Sequence, residues 1–203
     1  ELKPDIVIYQ FFVNEFGEVA LDSDFRRQAI GLDPSGSIEQ QIFLSTQLYS
    51  WSERIGSSIR EQLTGYPDEW RYRKALLHYL RAGENPFYTH ERVSLVERFV
   101  GEIKDVVDKH GARLVLMYVP AAAAVTAPEN MEYFPRQVDV TNPKRFDINR
   151  PRRLIHEIGG RLGIPILDLS DALKSNKQQP VYFPESWHWN EEGHRVAAQE
   201  IAS

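Results

Sequence analysis

Three stretches of the chain are apolar almost without interruption, and each is followed by residues that favour turns. They are residues 5–13 (DIVIYQFFV), 113–119 (RLVLMYV) and 164–169 (IPILDL). A strand that is covered on both faces of a parallel sheet has this pattern, whereas a half-exposed strand alternates apolar and polar residues. The sequence therefore predicts three buried strands.

Apolar residues recur at helical spacing after these strands. Residues 90–110 have a stripe that consists of Val93, Val96, Phe99, Val100, Ile103, Val106 and Val107. A second helix is predicted over 150–162, and a third over 191–203, where the packing face should consist of Val196, Ala197 and Ile201. Asn190 is a favourable N-cap for this last helix. The alternation of strands and helices predicts an α/β fold with a parallel sheet and right-handed crossovers.

Residues 18–88 interrupt this alternation. Apolar residues at helical spacing predict one or two helices over 38–63, and residues 69–80 predict another. The segment is long for a crossover between two parallel strands. We therefore expect a single domain over residues 1–203 with a helical insertion at about 18–88, which covers the functional site or forms a partner surface.

Composition excludes several classes of function. The net charge of −5 argues against binding to nucleic acid, because neutralising phosphates requires a concentrated basic face. The chain has no cysteine, so it has neither a disulfide nor a thiolate nucleophile. No apolar stretch is long enough to span a membrane. We predict no metal and no cofactor, because His156 and Glu157 lack a second histidine at zinc-binding spacing and no glycine-rich phosphate loop follows a strand.

The segment from Tyr182 to His194 (YFPESWHWNEEGH) contains the strongest candidate for chemistry. It begins as a loop, because Pro184 restricts the backbone, and ends as the start of a helix. His188 lies just before the helix N-terminus, where a scaffold could hold and orient a general base. A histidine in such a loop is more often only a packed or solvent-facing residue, so the hypothesis depends on the whole segment.

Asn14 is a second candidate, because it follows the first predicted strand. Ligands of open α/β sheets bind beyond the carboxyl ends of the strands. The side-chain amide of Asn14 could donate to an oxygen on which negative charge develops. The alternative is that Asn14 is a simple turn residue.

Both segments resemble sequence blocks of the SGNH (GDSL-type) hydrolases. The string Glu185-x-x-His188-Trp-Asn-x-x-Gly-His is similar to the last block of that family. Phe12-Val-Asn14-Glu15 is similar to the third block, Gly-x-Asn-Asp, with Phe12 in place of the glycine and Glu15 in place of the aspartate. The resemblance implies a flavodoxin-like three-layer α/β fold with a parallel sheet of about five strands.

The resemblance also implies the chemistry of a serine triad. His188 would be the general base, Glu185 the acid that orients it, and Asn14 an oxyanion donor. Ser186 lies closer to the place where some members of the family have their acid, so the orienting residue stays open between Glu185 and Ser186. The substrate would be an O-acyl ester of a small molecule or a carbohydrate, and the family analogy suggests an extracytoplasmic location.

The nucleophile block of the family, Gly-Asp-Ser, does not occur in this sequence. Ser35 and Ser37 follow Asn14 and lie in a predicted loop, so we do not assign the nucleophile to them. We expect the chain to be the C-terminal portion of such a domain, without its N-terminal strands and inactive alone. Two hypotheses follow: a serine ester hydrolase or acyltransferase, and a non-catalytic SGNH-like module that binds a ligand or partner.

Overall fold

A computed structural model of the protein describes residues 3–17 and 69–203. Three strands form one parallel sheet in the order β1 (Ile6–Phe12), β2 (Arg113–Val119) and β3 (Ile166–Asp168). In the register, Phe12 pairs with Val119 and Leu116 with Ile166. The three predicted strands are confirmed. The helices predicted over 38–63, most of the predicted insertion, and both Ser35 and Ser37 lie outside the described residues.

Helices and short turns connect these strands. The helices are α1 (Glu69–Lys74), α2 (His90–Lys109), α3 (Ala122–Val125), α4 (Arg150–Leu162), α5 (Ser170–Ser175) and α6 (Glu191–Ala202), and 3-10 turns span Pro86–Tyr88 and Pro128–Asn130. No helix of residues 3–17 or 69–203 has the length and apolar composition that crossing a membrane requires.

Local residue chemistry explains where these helices begin and end. The side chain of Thr89 accepts a hydrogen bond from the backbone N–H of Arg92 and starts α2. Gly163 adopts φ 64°, a left-handed conformation that ends α4. The helix predicted over 69–80 is too long, because it ends at Lys74. Leu76 adopts φ 58°, which is incompatible with the continuation of a right-handed helix.

The sheet lies between two layers. On one face, residues of β2 pack in a core with α2 and α4, formed by Leu114, Leu116, Tyr118, Val96, Val100, Ile155 and Ile158. On the other face, the next residues of β2 pack in a core with α5 and α6, formed by Met117, Val119, Leu173, Val196 and Ala197. Successive residues of a strand point to opposite faces, so one strand supplies both cores. The predicted three-layer parallel α/β architecture is confirmed.

The predicted packing faces are wider than the observed ones. Phe99 and Val106 of α2 are 41% and 59% exposed, and Ile201 of α6 is 47% exposed. On β1, Ile6 and Ile8 are also exposed, since this strand forms an edge of the described sheet and α6 does not cover its full width. The prediction that the first strand is buried on both faces is therefore wrong for these two residues.

The carboxyl ends of the parallel strands meet at one edge of the sheet. Asn14 follows β1 there, and Pro120 follows β2. The segment before α6 reaches the same edge, where the hydroxyl of the buried Tyr182 donates a 2.6 Å hydrogen bond to the carbonyl oxygen of Pro120. This bond joins the segment that contains His188 to the end of the central strand.

Candidate functional site

The loop that contains His188 is held by its own backbone. The N–H of Phe183 donates to the carbonyl of His188 at 3.0 Å, and the N–H of Asn190 donates to the carbonyl of Val181 at 3.2 Å. Tyr182 and Trp189 form an antiparallel bridge between these two bonds. The loop is therefore a short hairpin whose geometry is fixed without a contact from the His188 ring.

The start of α6 anchors this hairpin. Asn190 caps the helix by accepting from the N–H of Gly193 at 3.0 Å, and its amide also donates to the carbonyl of Pro180 at 2.6 Å. The N-cap predicted from the sequence is confirmed. A Cβ atom on Gly193 would lie 2.3 Å from the carbonyl oxygen of Val181. Only a glycine allows the first turn of α6 to approach the hairpin this closely.

His188 is exposed, and its ring is oriented by a neighbour within the loop. Its Nδ1 lies 2.7 Å from the Oγ of Ser186, and the same Oγ accepts the backbone N–H of His188 at 3.3 Å. The ring also lies beside Trp187, with 5.6 Å between the ring centroids. When Nδ1 carries the proton and donates it to Ser186, Nε2 has a free lone pair and can accept a proton.

Glu185 is placed differently. Its side chain is exposed, and it makes no hydrogen bond or ion pair within the part of the chain that the structure describes. The sequence left the orienting residue open between Glu185 and Ser186, and the hydrogen-bond partner of the imidazole in the structure is Ser186. The role of Glu185 as an orienting acid stays a prediction.

His188 and Asn14 line one cleft of approximately 630 Å³ at the carboxyl edge of the sheet. Glu15 lies beside Asn14 and accepts a hydrogen bond from the hydroxyl of Tyr9 at 3.2 Å. His194 also lines the cleft, and its ring meets the ring of Trp189 edge-on at 5.5 Å between centroids. The structure therefore brings two of the three predicted site residues to the same cavity.

Sequence reasoning missed several residues of this cleft. The further lining residues are Gln10, Phe12, Met117, Val119, Tyr182, Trp187, Trp189, Ala197, Ala198 and Ile201. The signal for those on β1 was available, because Gln10 and Phe12 are two residues apart, lie on one face of the strand and lead to Asn14 just after its end. The register between β1 and β2, which selects Met117 and Val119, could not be inferred from composition.

Tyr182 supports the floor of the cleft. Burial raises the pKa of its hydroxyl above the ordinary range, so this group stays protonated and continues to donate to Pro120.

The carboxyl groups and imidazoles of the described residues form no cluster of three that could hold a metal ion. The imidazoles of His188 and His194 line the cleft.

Another carboxylate lies at the end of β3, outside this cleft. Asp168 accepts hydrogen bonds from Arg152 at 2.5 Å, from His156 Nε2 at 2.8 Å and from the N–H of Ser170 at 2.9 Å. Burial alone would raise the pKa of Asp168, but these hydrogen bonds hold it below its ordinary value. This group ties α4 to the sheet and does not reach His188.

A second cleft of approximately 790 Å³ lies between the turn before α2 and the first turns of α4. Arg150 and Arg153 line it, but each forms an ion pair with Asp147. Neither His188 nor Asn14 is near it. None of the residues that the sequence predicts for acyl transfer lines this cavity.

Comparison with known proteins agrees with the α/β fold. A family model described as "SGNH hydrolase-like domain, acetyltransferase AlgX" matches residues 68–203. The match includes the His188 hairpin, α6 and two of the three strands. No curated protein and no solved structure is significantly similar to the chain.

Proposed function

Since the chain belongs to the family of SGNH hydrolase-like domains of the acetyltransferase AlgX type, we propose that it takes part in serine-dependent acyl transfer with His188 as the general base. The observation that supports this most directly is the cleft shared by His188 and Asn14 at the carboxyl edge of the sheet. The substrate class is an O-acyl ester of a small molecule or a carbohydrate, and the acceptor is water or another hydroxyl group.

In the proposed mechanism, a serine hydroxyl attacks the carbonyl carbon of the ester while Nε2 of His188 removes its proton. The tetrahedral intermediate has a negative oxygen, to which the side-chain amide of Asn14 donates a hydrogen bond. Collapse of the intermediate releases the alcohol, which receives the proton from His188. Transfer of the acyl group to the acceptor repeats these steps in reverse order. The attacking serine is not assigned to a residue of this chain.

Ser186 is unsuited to be that nucleophile. In the proposed mechanism Nε2 removes the proton of the attacking serine, and the Oγ of Ser186 contacts the other ring nitrogen, Nδ1. Ser186 instead occupies the position of the orienting group. A hydroxyl there holds the ring but supplies no negative charge to stabilise the imidazolium, so proton removal is weaker than with a carboxylate.

That neutral contact favours a second candidate function. In the alternative, the chain is a non-catalytic SGNH-like module that uses the same cleft to bind an ester or acyl group. Two observations favour it: Ser186 contacts Nδ1, and Glu185 has no partner among residues 3–17 and 69–203. The two functions predict the same ligand and differ only in turnover.

Hydrolysis of p-nitrophenyl acetate separates them. The assay requires the protein in a form that includes a Gly-Asp-Ser block, because the attacking serine is not assigned to this chain. In that form we expect release of p-nitrophenol faster than in buffer, and we expect His188→Ala to lower this excess rate by about 10²-fold or more. His90→Ala is the matched control, because His90 is an exposed histidine at the start of α2 and does not line the cleft. A rate equal to that of buffer, unchanged by His188→Ala, would leave the binding module as the function.

A further inference from the structure

His194 lies on the face of α6 that lines the cleft. Its backbone N–H donates to the carbonyl of Asn190, the N-cap, at 3.1 Å, so His194 belongs to the first turn of the helix. Ala197, Ala198 and Ile201 line the cleft from the same helix. They follow His194 at intervals of three, four and seven residues, so the four positions form one helix face. The helix as a whole therefore directs the imidazole of His194 to the cleft.

The ring of His194 is restricted by a contact that leaves its nitrogen atoms unused. It meets the indole of Trp189 edge-on, with an interplanar angle of 88° and 5.5 Å between the ring centroids. His194 is exposed, and within residues 3–17 and 69–203 its ring has no hydrogen bond and no ion pair. Because Trp189 directly follows His188 in the hairpin, the ring lies near the candidate general base.

The other charged side chains of this turn are paired outside the cleft. Arg195 donates to both carboxylate oxygens of Glu192, at 2.8 and 2.6 Å, and the amide of Asn176 donates to the same carboxylate at 2.8 Å. These three residues do not line the cleft. The pairing of Glu192 and Arg195 stabilises the start of α6 without help from His194, so a structural hydrogen bond does not explain the position of its imidazole.

The proposed reaction gives this imidazole a use. The acyl carbon lies beside His188 and Asn14 in that mechanism, and the alcohol part of the ester occupies other space in the cleft of approximately 630 Å³. The acceptor later takes the place of this alcohol, since transfer repeats the same steps in reverse order. A hydroxyl group both donates and accepts hydrogen bonds, and an imidazole donates at one nitrogen and accepts at the other.

We propose that His194 binds a hydroxyl group on the alcohol part of the ester and, in the same place, on the acceptor. This rests on the proposed function, which puts the acyl carbon beside His188. His194 is then a specificity-determining residue. It favours an alcohol that carries further hydroxyl groups over one with an apolar substituent.

Gln10 is the competing candidate, because its exposed side chain also lines the cleft. It precedes Asn14 by four residues, a separation of up to about 13 Å along extended backbone. His194, in contrast, contacts the residue next to His188. The position of His194 therefore suits the alcohol part that is directly bonded to the reacting ester.

Two acetate esters test the proposal. Glycerol monoacetate and propyl acetate have the same ester group and a three-carbon alcohol, and they differ in two hydroxyl groups. NMR titration of the 203-residue chain, followed at the indole N–H signals, gives a dissociation constant for each ester. We expect His194→Leu to shift the ratio of the two constants about threefold to tenfold against glycerol monoacetate, as loss of one hydrogen bond does.

His194→Gln is the matched variant, because its amide also donates and accepts. Both substitutions remove the ring contact with Trp189, so the difference between them reports the hydrogen bond. We expect His194→Gln to keep most of the preference for glycerol monoacetate. The same ratio in the unmodified protein and both variants, an equal loss in both variants, or no binding of either ester would overturn the proposal.

Gln10→Leu removes the competing candidate. We expect it to leave the ratio of the two dissociation constants unchanged. Loss of the preference in this variant, without a loss in His194→Leu, would place the hydroxyl group at Gln10 and overturn the proposal.

His188→Ala separates this proposal from the proposed function. If ester hydrolysis does not depend on His188 while the preference for glycerol monoacetate depends on His194, the catalytic proposal fails and the hydroxyl-binding role stands. If hydrolysis depends on His188 and the preference does not depend on His194, the hydroxyl-binding role fails and the catalytic proposal stands.

Discussion

Ser186 Oγ lies 2.7 Å from Nδ1 of His188, in the position that an orienting carboxylate occupies in a serine triad. The contact is local, because the two residues are separated by Trp187 alone in one hairpin. It fixes the direction of the imidazole without adding charge. Any catalysis at this site would therefore have to proceed with the neutral hydroxyl of Ser186 in the position where a carboxylate stabilises the imidazolium.

Replacing that hydroxyl by a carboxylate should strengthen the base. In Ser186→Asp, the new carboxylate beside Nδ1 adds the negative charge that stabilises the imidazolium formed during proton removal. If the site is catalytic, hydrolysis of p-nitrophenyl acetate should increase in the same variant.

Glu185→Gln is the matched control for this substitution. Because Glu185 makes no hydrogen bond or ion pair in the described residues, the rate of hydrolysis should be unchanged in this variant. A large change in Glu185→Gln together with none in Ser186→Asp would assign the orienting role to Glu185, as the family resemblance implies.

Gly193 should be essential for the stability of the hairpin. A Cβ atom at this position would meet the carbonyl of Val181 at 2.3 Å and Trp189 Cβ at 3.0 Å. We expect Gly193→Ala to lower the free energy of unfolding by about 1–3 kcal/mol, as overpacking does. Denaturation in urea would measure the change.

Gly160→Ala is the control for this effect. Gly160 lies inside α4, and a Cβ atom there would meet nothing within 4 Å. Alanine favours a helix over glycine, so this variant should gain about 0.5–1 kcal/mol. Destabilisation by both substitutions would show that close packing at Gly193 is not the cause.

The hydrogen bond between Tyr182 and Pro120 should contribute measurably to stability. Tyr182→Phe leaves the carbonyl of Pro120 without this donor in a buried position, which costs about 1–3 kcal/mol. Tyr133→Phe is the comparison, because the hydroxyl of the buried Tyr133 donates only to the sulfur of Met131, at 3.6 Å. Equal losses in thermal or urea denaturation would argue against a special role for the Tyr182 bond.

His78 should make stability depend on pH. Burial, together with the nearby charge of Arg73, lowers the pKa of His78 to about 4, against about 6.5 in an unfolded chain. Between these values the unfolded state binds more protons, so stability should fall as the pH decreases from about 6.5 to 4 and then lose this dependence. The ring packs against Tyr79 and Phe87.

His78→Phe keeps an aromatic ring in this place and removes the titrating group. We expect the difference in stability between pH 7 and pH 4.5 to shrink by on the order of 1–2 kcal/mol in the variant, allowing for partial solvent screening. Urea denaturation at the two pH values would measure it. An unchanged difference would mean that other groups account for the acid sensitivity.

The sequence predicted the architecture well because the signals are local. Continuous apolar runs gave β2 within its observed bounds, and Asn190 was identified as an N-cap from its position before two acidic residues. The prediction that Ile201 is part of the packing face was wrong because burial depends on a distant part of the chain. A helical stripe shows which side chains share a face, but not whether another element covers them.

The orienting residue of His188 could not be chosen from the sequence. Glu185 and Ser186 precede the histidine by three and two residues, and either could reach its ring in a suitable loop. The choice depends on the hairpin, in which the bond from Phe183 to the carbonyl of His188 turns the chain so that Ser186 faces Nδ1. The position of Asn14 at the end of a strand could be predicted from the sequence. The residues that line the cleft beside it could not, because they depend on the register of β1 with β2.

The pairing of β1 with β2 has a consequence for folding. Asn14 and His188 are near opposite ends of the chain, and they share a cleft only after the first strand has joined the sheet and α6 has packed on it. Contacts between such distant residues form slowly, because the loop between them must first close. A nascent or partly unfolded chain therefore has no assembled cleft, and ligand binding would report that β1 and α6 have come together.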